Sequence, residues 1–80
     1  LLGLGKSEEA VAVLQEEIRR FPGAAEGRFL LARTYLQLEE YEKARQNYLA
    51  AIKLQPDHAN AYYGLATAAT RLGRRDEARQ

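Results

Sequence analysis

The chain has no cysteine, no methionine and no tryptophan, and in 80 residues it has one histidine and two prolines. Without cysteine there is no disulfide framework and no thiolate to act as nucleophile or metal ligand. A lone His58 excludes a multi-histidine metal site. No apolar run approaches the roughly 18 residues of a membrane span, so no membrane partner is expected. The formal charge is +1 at pH 7, too balanced to mark a surface for nucleic acid or anionic lipid. The opening LLGLGKSEEA turns acidic too soon for a signal peptide; the compartment is left open, with the cytoplasm favoured and a parent protein free to be targeted elsewhere. A start at Leu1 and the lack of methionine point to a segment of a longer protein, with room for one small domain. A compact chain of this length buries only about 60% of the surface its unfolded state exposes, so its own core is marginal. Arginine outnumbers lysine nine to three, and together with abundant alanine this usage fits a GC-rich bacterial source.

What is present is a period. Pro22 and Pro56 stand 34 residues apart, and the same shift aligns Ala10, Ala44 and Ala78, and Leu4, Leu38 and Leu72. It also aligns Leu31 with Leu65, Ala32 with Ala66, Arg45 with Arg79 and Gln46 with Gln80. Gly5 and Gly73 lie two periods apart with Glu39 between them. A fixed period of this size is the mark of a repeat architecture.

Each unit reads as two helices. Leu31, Ala32, Tyr35 and Leu38 share one helical face, as do Tyr41, Ala44, Tyr48, Ala51 and Ile52. QLEEY between them is a short turn, with acids where the next helix starts. QPDHAN closes the second helix, because proline disfavours helical backbone before it, and Asp57 is placed to cap the third. The next stripe is Tyr62, Leu65, Ala66, Ala69 and Leu72, on a helix expected to stop at Leu72. The first helix of the chain is expected over about residues 7–20, with Ser7 as N-cap and Ala10, Val11, Leu14 and Ile18 inward. Ala32, Ala44 and Ala66 are small enough to let neighbouring helices approach closely.

These residues resemble the tetratricopeptide repeat family, whose unit runs aromatic-x₂-Leu-Gly/Ala-x₂-Tyr, then Ala-x₃-Phe/Tyr, then Ala and Pro. Residues 25–58 make one full copy through Leu31, Ala32, Tyr35, Ala44, Tyr48, Ala51 and Pro56, departing at Arg28. Residues 59–80 begin another with Tyr62, Leu65, Ala66, Gly73 and Ala78, departing at Ala69. Residues 1–24 match the end of a preceding copy through Gly5, Ala10 and Pro22, departing at Glu17. The resemblance implies an all-α, right-handed superhelical array of antiparallel helix pairs, about 2.4 repeats long, that binds a protein or peptide. Arrays of this kind want about three repeats with polar ends. Apolar surface at Leu65, Ala66, Ala69 and Leu72 is therefore expected to need cover, from flanking sequence or from identical chains pairing as a homo-oligomer.

No catalytic, cofactor or metal site is expected. Ser7, Asp57 and His58 have the letters of a triad, but Ser7 reads as a cap and the other two as a turn. Glu8–Glu9, Glu16–Glu17 and Glu39–Glu40 are adjacent in sequence and so diverge on a helix. LLGLGKS ends like a phosphate loop but lacks its first glycine and a preceding strand. The tail RLGRRDEARQ carries four arginines and no aromatic, and reads as a solvated helix-turn-helix edge.

In the family, the first helix of each unit lines the concave surface. Carried onto this chain, that implies partner contacts at Phe29, Arg33, Leu36, Asn60, Tyr63, Thr67, Thr70 and Arg71, with Glu26 and Gln37 beside them. Helix geometry supports it: Phe29, Arg33 and Leu36 form an i, i+4, i+7 stripe, and Tyr63, Thr67 and Thr70 repeat it one period on. Aromatics and arginine suit a contact surface, although Phe29 and Tyr63 fit packing between adjacent first helices equally well. The asparagine of the family's clamp for terminal carboxylates is missing, since Leu30 and Gly64 stand there. Arg33 and Arg71 favour an acidic peptide. Gly64 should cost about 1 kcal/mol inside a helix unless something needs its close backbone approach. The alternatives to groove binding are self-assembly through open repeat ends, or service as a docking arm of a larger protein.

Overall fold

A computed structural model describes the backbone of residues 2–79 and the side chains of residues 5–76. It holds four helices: α1 (Leu2–Arg20), α2 (Ala25–Gln37), α3 (Tyr41–Leu54) and α4 (Ala59–Arg79). Each helix packs on the next as a stack of hairpins, and α2 also touches α4. The result is a slab of about 41 × 32 × 16 Å. None of the described helices is long and apolar enough to cross a membrane.

The core alternates very small and large side chains. Ala32, Ala44, Ala51, Ala61 and Ala68 are fully buried, and Tyr35, Tyr41 and Tyr48 fill the spaces beside them with Leu31 and Ile18. This is the faces-in arrangement expected for α2 and α3: Leu31, Ala32 and Tyr35 share one core with Ala44, Tyr48 and Ala51. Burial of apolar area at roughly 25 cal/mol per Å² is the main stabilising term here. Exposed pairs such as Glu40–Lys43, at 3.2 Å, contribute about 0–1 kcal/mol each.

Both Pro-containing links turn in the same way. The Ala24 N–H reaches the Phe21 carbonyl at 3.1 Å, and one period later the His58 N–H reaches the Gln55 carbonyl at 3.1 Å. The cap of α4 differs from expectation. His58, not Asp57, supplies it: Nδ1 accepts the Ala61 N–H at 3.2 Å. Imidazole at this position can accept from the first turn as a shorter oxygen acceptor would, and it is held in place by the ring of Phe29, 4.6 Å away.

The outer helices correct three further expectations. α1 starts at Leu2 and passes through Ser7, which is therefore not an N-cap. α4 does not stop at Leu72 but runs through Gly73 to Arg79, so the tail forms no helix-turn-helix edge. On α4 the buried residues are Ala61, Gly64 and Ala68, whereas Tyr62, Ala69 and Thr70 are exposed. Tyr62, Leu65, Ala66 and Ala69 are the register equivalents of the α2 face that α3 covers; here Leu65 is half-buried against the core and the other three are exposed.

α2 and α3 are joined by a tight reversal. Glu39 sits at φ 61°, with its N–H on the Leu36 carbonyl at 3.0 Å and the Glu40 N–H on the Tyr35 carbonyl at 2.9 Å. This is a Schellman motif with a non-glycine residue in the left-handed position. That conformation costs a non-glycine residue about 1–2 kcal/mol. The turn forms because α3 brings four large or close-packed residues back onto α2. One period later α4 runs straight through Gly73. Arg75 then pins the straight helix down: Nη2 donates to the Glu39 carbonyl at 3.0 Å, and the guanidinium lies 4.8 Å from the Tyr41 ring centre.

Replacing Glu39 by glycine removes the left-handed strain and leaves the backbone carbonyl that Arg75 uses. Glu39→Gly is expected to raise stability by about 1 kcal/mol. Urea unfolding followed by circular dichroism reads the shift, and an unchanged or lower midpoint would contradict this account of the turn.

Candidate partner-binding groove

The stripe at Phe29, Arg33 and Leu36 on α2 and the stripe at Asn60, Tyr63 and Thr67 on α4 face each other across one cleft of about 370 Å³. Tyr48 from α3 forms its floor, beside Gly64. Thr70 and Arg71 line an adjoining cleft of about 300 Å³ with Ala66 and Arg74, and the two share Tyr63 and Thr67. The eight residues singled out from the sequence thus lie on one continuous surface. Glu26 and Gln37 line neither cleft.

Tyr48, Gly64, Ala66 and Arg74 are the lining residues that the helical stripes did not assign to the groove. Tyr48 carried a core pattern and does belong to the core, being almost wholly buried. Its ring crosses from α3 to the α4 backbone because position 64 has no side chain. A Cβ on Gly64 would collide with the edge of the Tyr48 ring and lie 2.7 Å from its hydroxyl. The glycine inside α4 is thus explained by a neighbouring ring.

The two aromatics resolve differently. Phe29 is half-buried, tilted against Tyr48 at 6.0 Å and His58 at 4.6 Å. It is a wall of the groove as well as a packing residue. Tyr63 is 78% exposed, so only its backbone is committed to the fold. Arg33 lies 5.9 Å from the Phe29 ring centre, in cation–π range. Thr67 and Thr70 donate their hydroxyl hydrogens to the carbonyls of Tyr63 and Ala66, at 3.1 and 2.9 Å. Their oxygen lone pairs are left facing outward.

Three arginines line the two clefts, and no aspartate or glutamate does. The acids are elsewhere; Glu26, for one, turns its Oε1 to within 3.9 Å of His58 Nε2. Burial pushes the Tyr48 phenol above the ordinary tyrosine range, partly opposed by the nearby Arg33 guanidinium. The floor of the groove therefore stays uncharged at neutral pH. Ser7 and His58 stand on α1 and at the start of α4, which do not approach each other closely. Among the described residues, no three His, Cys, Asp or Glu side chains gather as a metal site.

The sequence model of the tetratricopeptide repeat matches this chain over residues 1–49 and 29–80. The chain is also similar to protein bimA of Emericella nidulans, with 33% identity over 73 residues. That match covers 91% of the chain but 9% of bimA, so the chain spans less than a tenth of this relative. A relative from Emericella nidulans lends no support to the bacterial source expected from composition.

Two outcomes test the Tyr48–Gly64 contact. Gly64→Ala improves intrinsic helix propensity by about 1 kcal/mol but forces the buried ring aside, and overpacking of this kind costs about 1–3 kcal/mol. The variant is expected to be less stable in thermal unfolding, and a rise in melting temperature would refute the contact. The second outcome concerns pH. An acid whose folded pKa is raised contributes stability that is complete below its unfolded pKa, about 10 for tyrosine. That stability is lost as pH rises from there through the folded value. Stability should fall in this alkaline window, and Tyr48→Phe should flatten the fall when urea midpoints are compared at successive pH values.

Proposed function

The chain belongs to the tetratricopeptide repeat family, a fold of protein–protein interaction scaffolds, and on that premise we propose that its groove binds an extended acidic segment of a partner protein. The carrying observation is the meeting of Phe29, Arg33, Leu36, Asn60, Tyr63 and Thr67 in one cleft whose charged lining is wholly basic. Tyr63 and Phe29 offer apolar area at low entropic cost, and arginine adds planar, bidentate recognition of carboxylates. Asn60, Thr67 and Thr70 supply hydrogen-bonding groups for a peptide backbone. Arg33 on α2 and Arg71 and Arg74 on α4 flank the path such a segment would take. The α2–α3 pair holds the cleft open in advance, so binding orders the peptide more than the protein. The absence of a groove asparagine at Leu30 and Gly64 disfavours the terminal-carboxylate clamp, and internal acidic stretches are the better match.

Fluorescence anisotropy with labelled peptides that carry acidic residues around one aromatic is the direct test. Arg33→Glu combined with Arg71→Glu is expected to weaken binding about ten-fold or more, with wild-type affinity falling as salt rises. If acidic peptides bind no better than neutral ones of the same length, or if the double reversal leaves affinity unchanged, the groove reading fails.

A further inference from the structure

The floor of the groove carries a hydroxyl that the fold does not use. Tyr48 is 2% exposed, and its ring packs on Gly64 and Phe29. A phenylalanine would make both contacts, since neither is a hydrogen bond. Among the described residues, the Tyr48 hydroxyl has no hydrogen-bond partner, whereas the Tyr35 hydroxyl accepts one from Gln15 at 3.4 Å. No side-chain nitrogen or oxygen sealed inside the described structure lacks a partner. The Tyr48 oxygen lacks one, so it is not sealed. The open space that Tyr48 lines is the cleft of about 370 Å³ between α2 and α4. A phenol held there without a partner costs free energy that a phenyl ring would not. It is a hydrogen-bonding point aimed at whatever enters the cleft.

The lining says what enters. Phe29 and Leu36 on α2 and Tyr63 on α4 make the walls apolar, so a guest that reaches the floor needs an apolar stem. Arg33 lines the same cleft, and its charge acts on the Tyr48 phenol. A cation beside a hydroxyl favours an anion as the acceptor of that hydroxyl's proton. No acid lines the cleft to compete for it. Two methylenes carrying a carboxylate match this arrangement, and one methylene is a shorter reach. We propose that the groove seats a glutamate side chain of its partner between Phe29 and Tyr63, with the Tyr48 hydroxyl donating to the carboxylate and Arg33 beside it.

The assignment rests on the acidic-segment reading and names the residue that such a segment inserts. It gives Tyr48 two separable tasks. The ring holds α4 at its distance, and the oxygen recognises the guest. The cleft residues run from 29 to 67, so the subsite is built within the α2–α3–α4 stack itself.

Fluorescence anisotropy tests it with an end-blocked, labelled peptide in which one glutamate is flanked by aspartates and an aromatic. Companion peptides carry aspartate or alanine in place of that glutamate, and Tyr48→Phe is the protein variant. Tyr48→Phe leaves the ring on Gly64, so its thermal unfolding at pH 7 is expected at or above the wild-type temperature. Its affinity for the glutamate peptide is expected to fall about ten-fold, as for loss of a hydrogen bond to a charged group. For the alanine peptide, wild type and variant should bind alike, which a merely structural role for the hydroxyl would not produce. The loss should be the same at low and high salt, unlike the loss from reversing Arg33 and Arg71, because a contact on the cleft floor is little screened. A variant that binds the glutamate peptide as tightly as wild type would overturn the assignment. So would an equal loss on every peptide, or an aspartate peptide that binds wild type as tightly as the glutamate one. In each of those cases wild type still prefers acidic peptides to neutral ones. Failure of the acidic-segment reading shows instead in wild type alone, as no such preference.

Discussion

The ring of Tyr48 rests on the backbone of Gly64, and the placement of α4 depends on that close approach. α3 can present a large residue to α2 and still let α4 come near only where α4 carries no side chain. The same ring is the floor of the cleft between α2 and α4 and touches Phe29 on its wall. One contact thus sets the spacing of the stack and the depth of its groove. Dense interiors transmit changes of this kind, because a single methyl group displaces what it meets.

Around this floor the charges are sorted. Arginines and no acids line the groove clefts, whereas the clefts beside α1 are mixed, with Glu9, Glu17 and Glu26 beside Lys6 and Arg33. Sorting of this sort adds little to the stability of the fold, since exposed pairs contribute little. It does determine which surfaces attract and how fast they meet. A scaffold of stacked hairpins has few other means of choosing a partner, because its core is given over to alanine, tyrosine and leucine.

Much of this was legible in the residues. The 34-residue spacing of the prolines, and the stripes at Leu31–Tyr35 and Tyr41–Ala51, correspond to the helices and to the packed faces of α2 and α3. The groove stripes at Phe29 and Tyr63 came from the same periodicity together with the family resemblance, and the fold brings them onto one surface. Gly64 was legible only as an anomaly, since its reason is a ring on another helix, at Tyr48. His58 as the cap of α4 was hidden, because capping habit favours the aspartate beside it and the ring is oriented by Phe29.

The turns mark the boundary between what residues declare and what packing imposes. The turn falls at QLEEY, where the residues place it, but its left-handed position is taken by Glu39 and not by a glycine, while Gly5 and Gly73 sit inside helices. A repeat carries the same helical propensities from unit to unit, so helix content and hydrophobic faces can be read from the chain alone. Whether a helix turns back, and which of its faces is covered, depends on apolar area supplied by another segment. At residue 39 the side chains of α3 supply it.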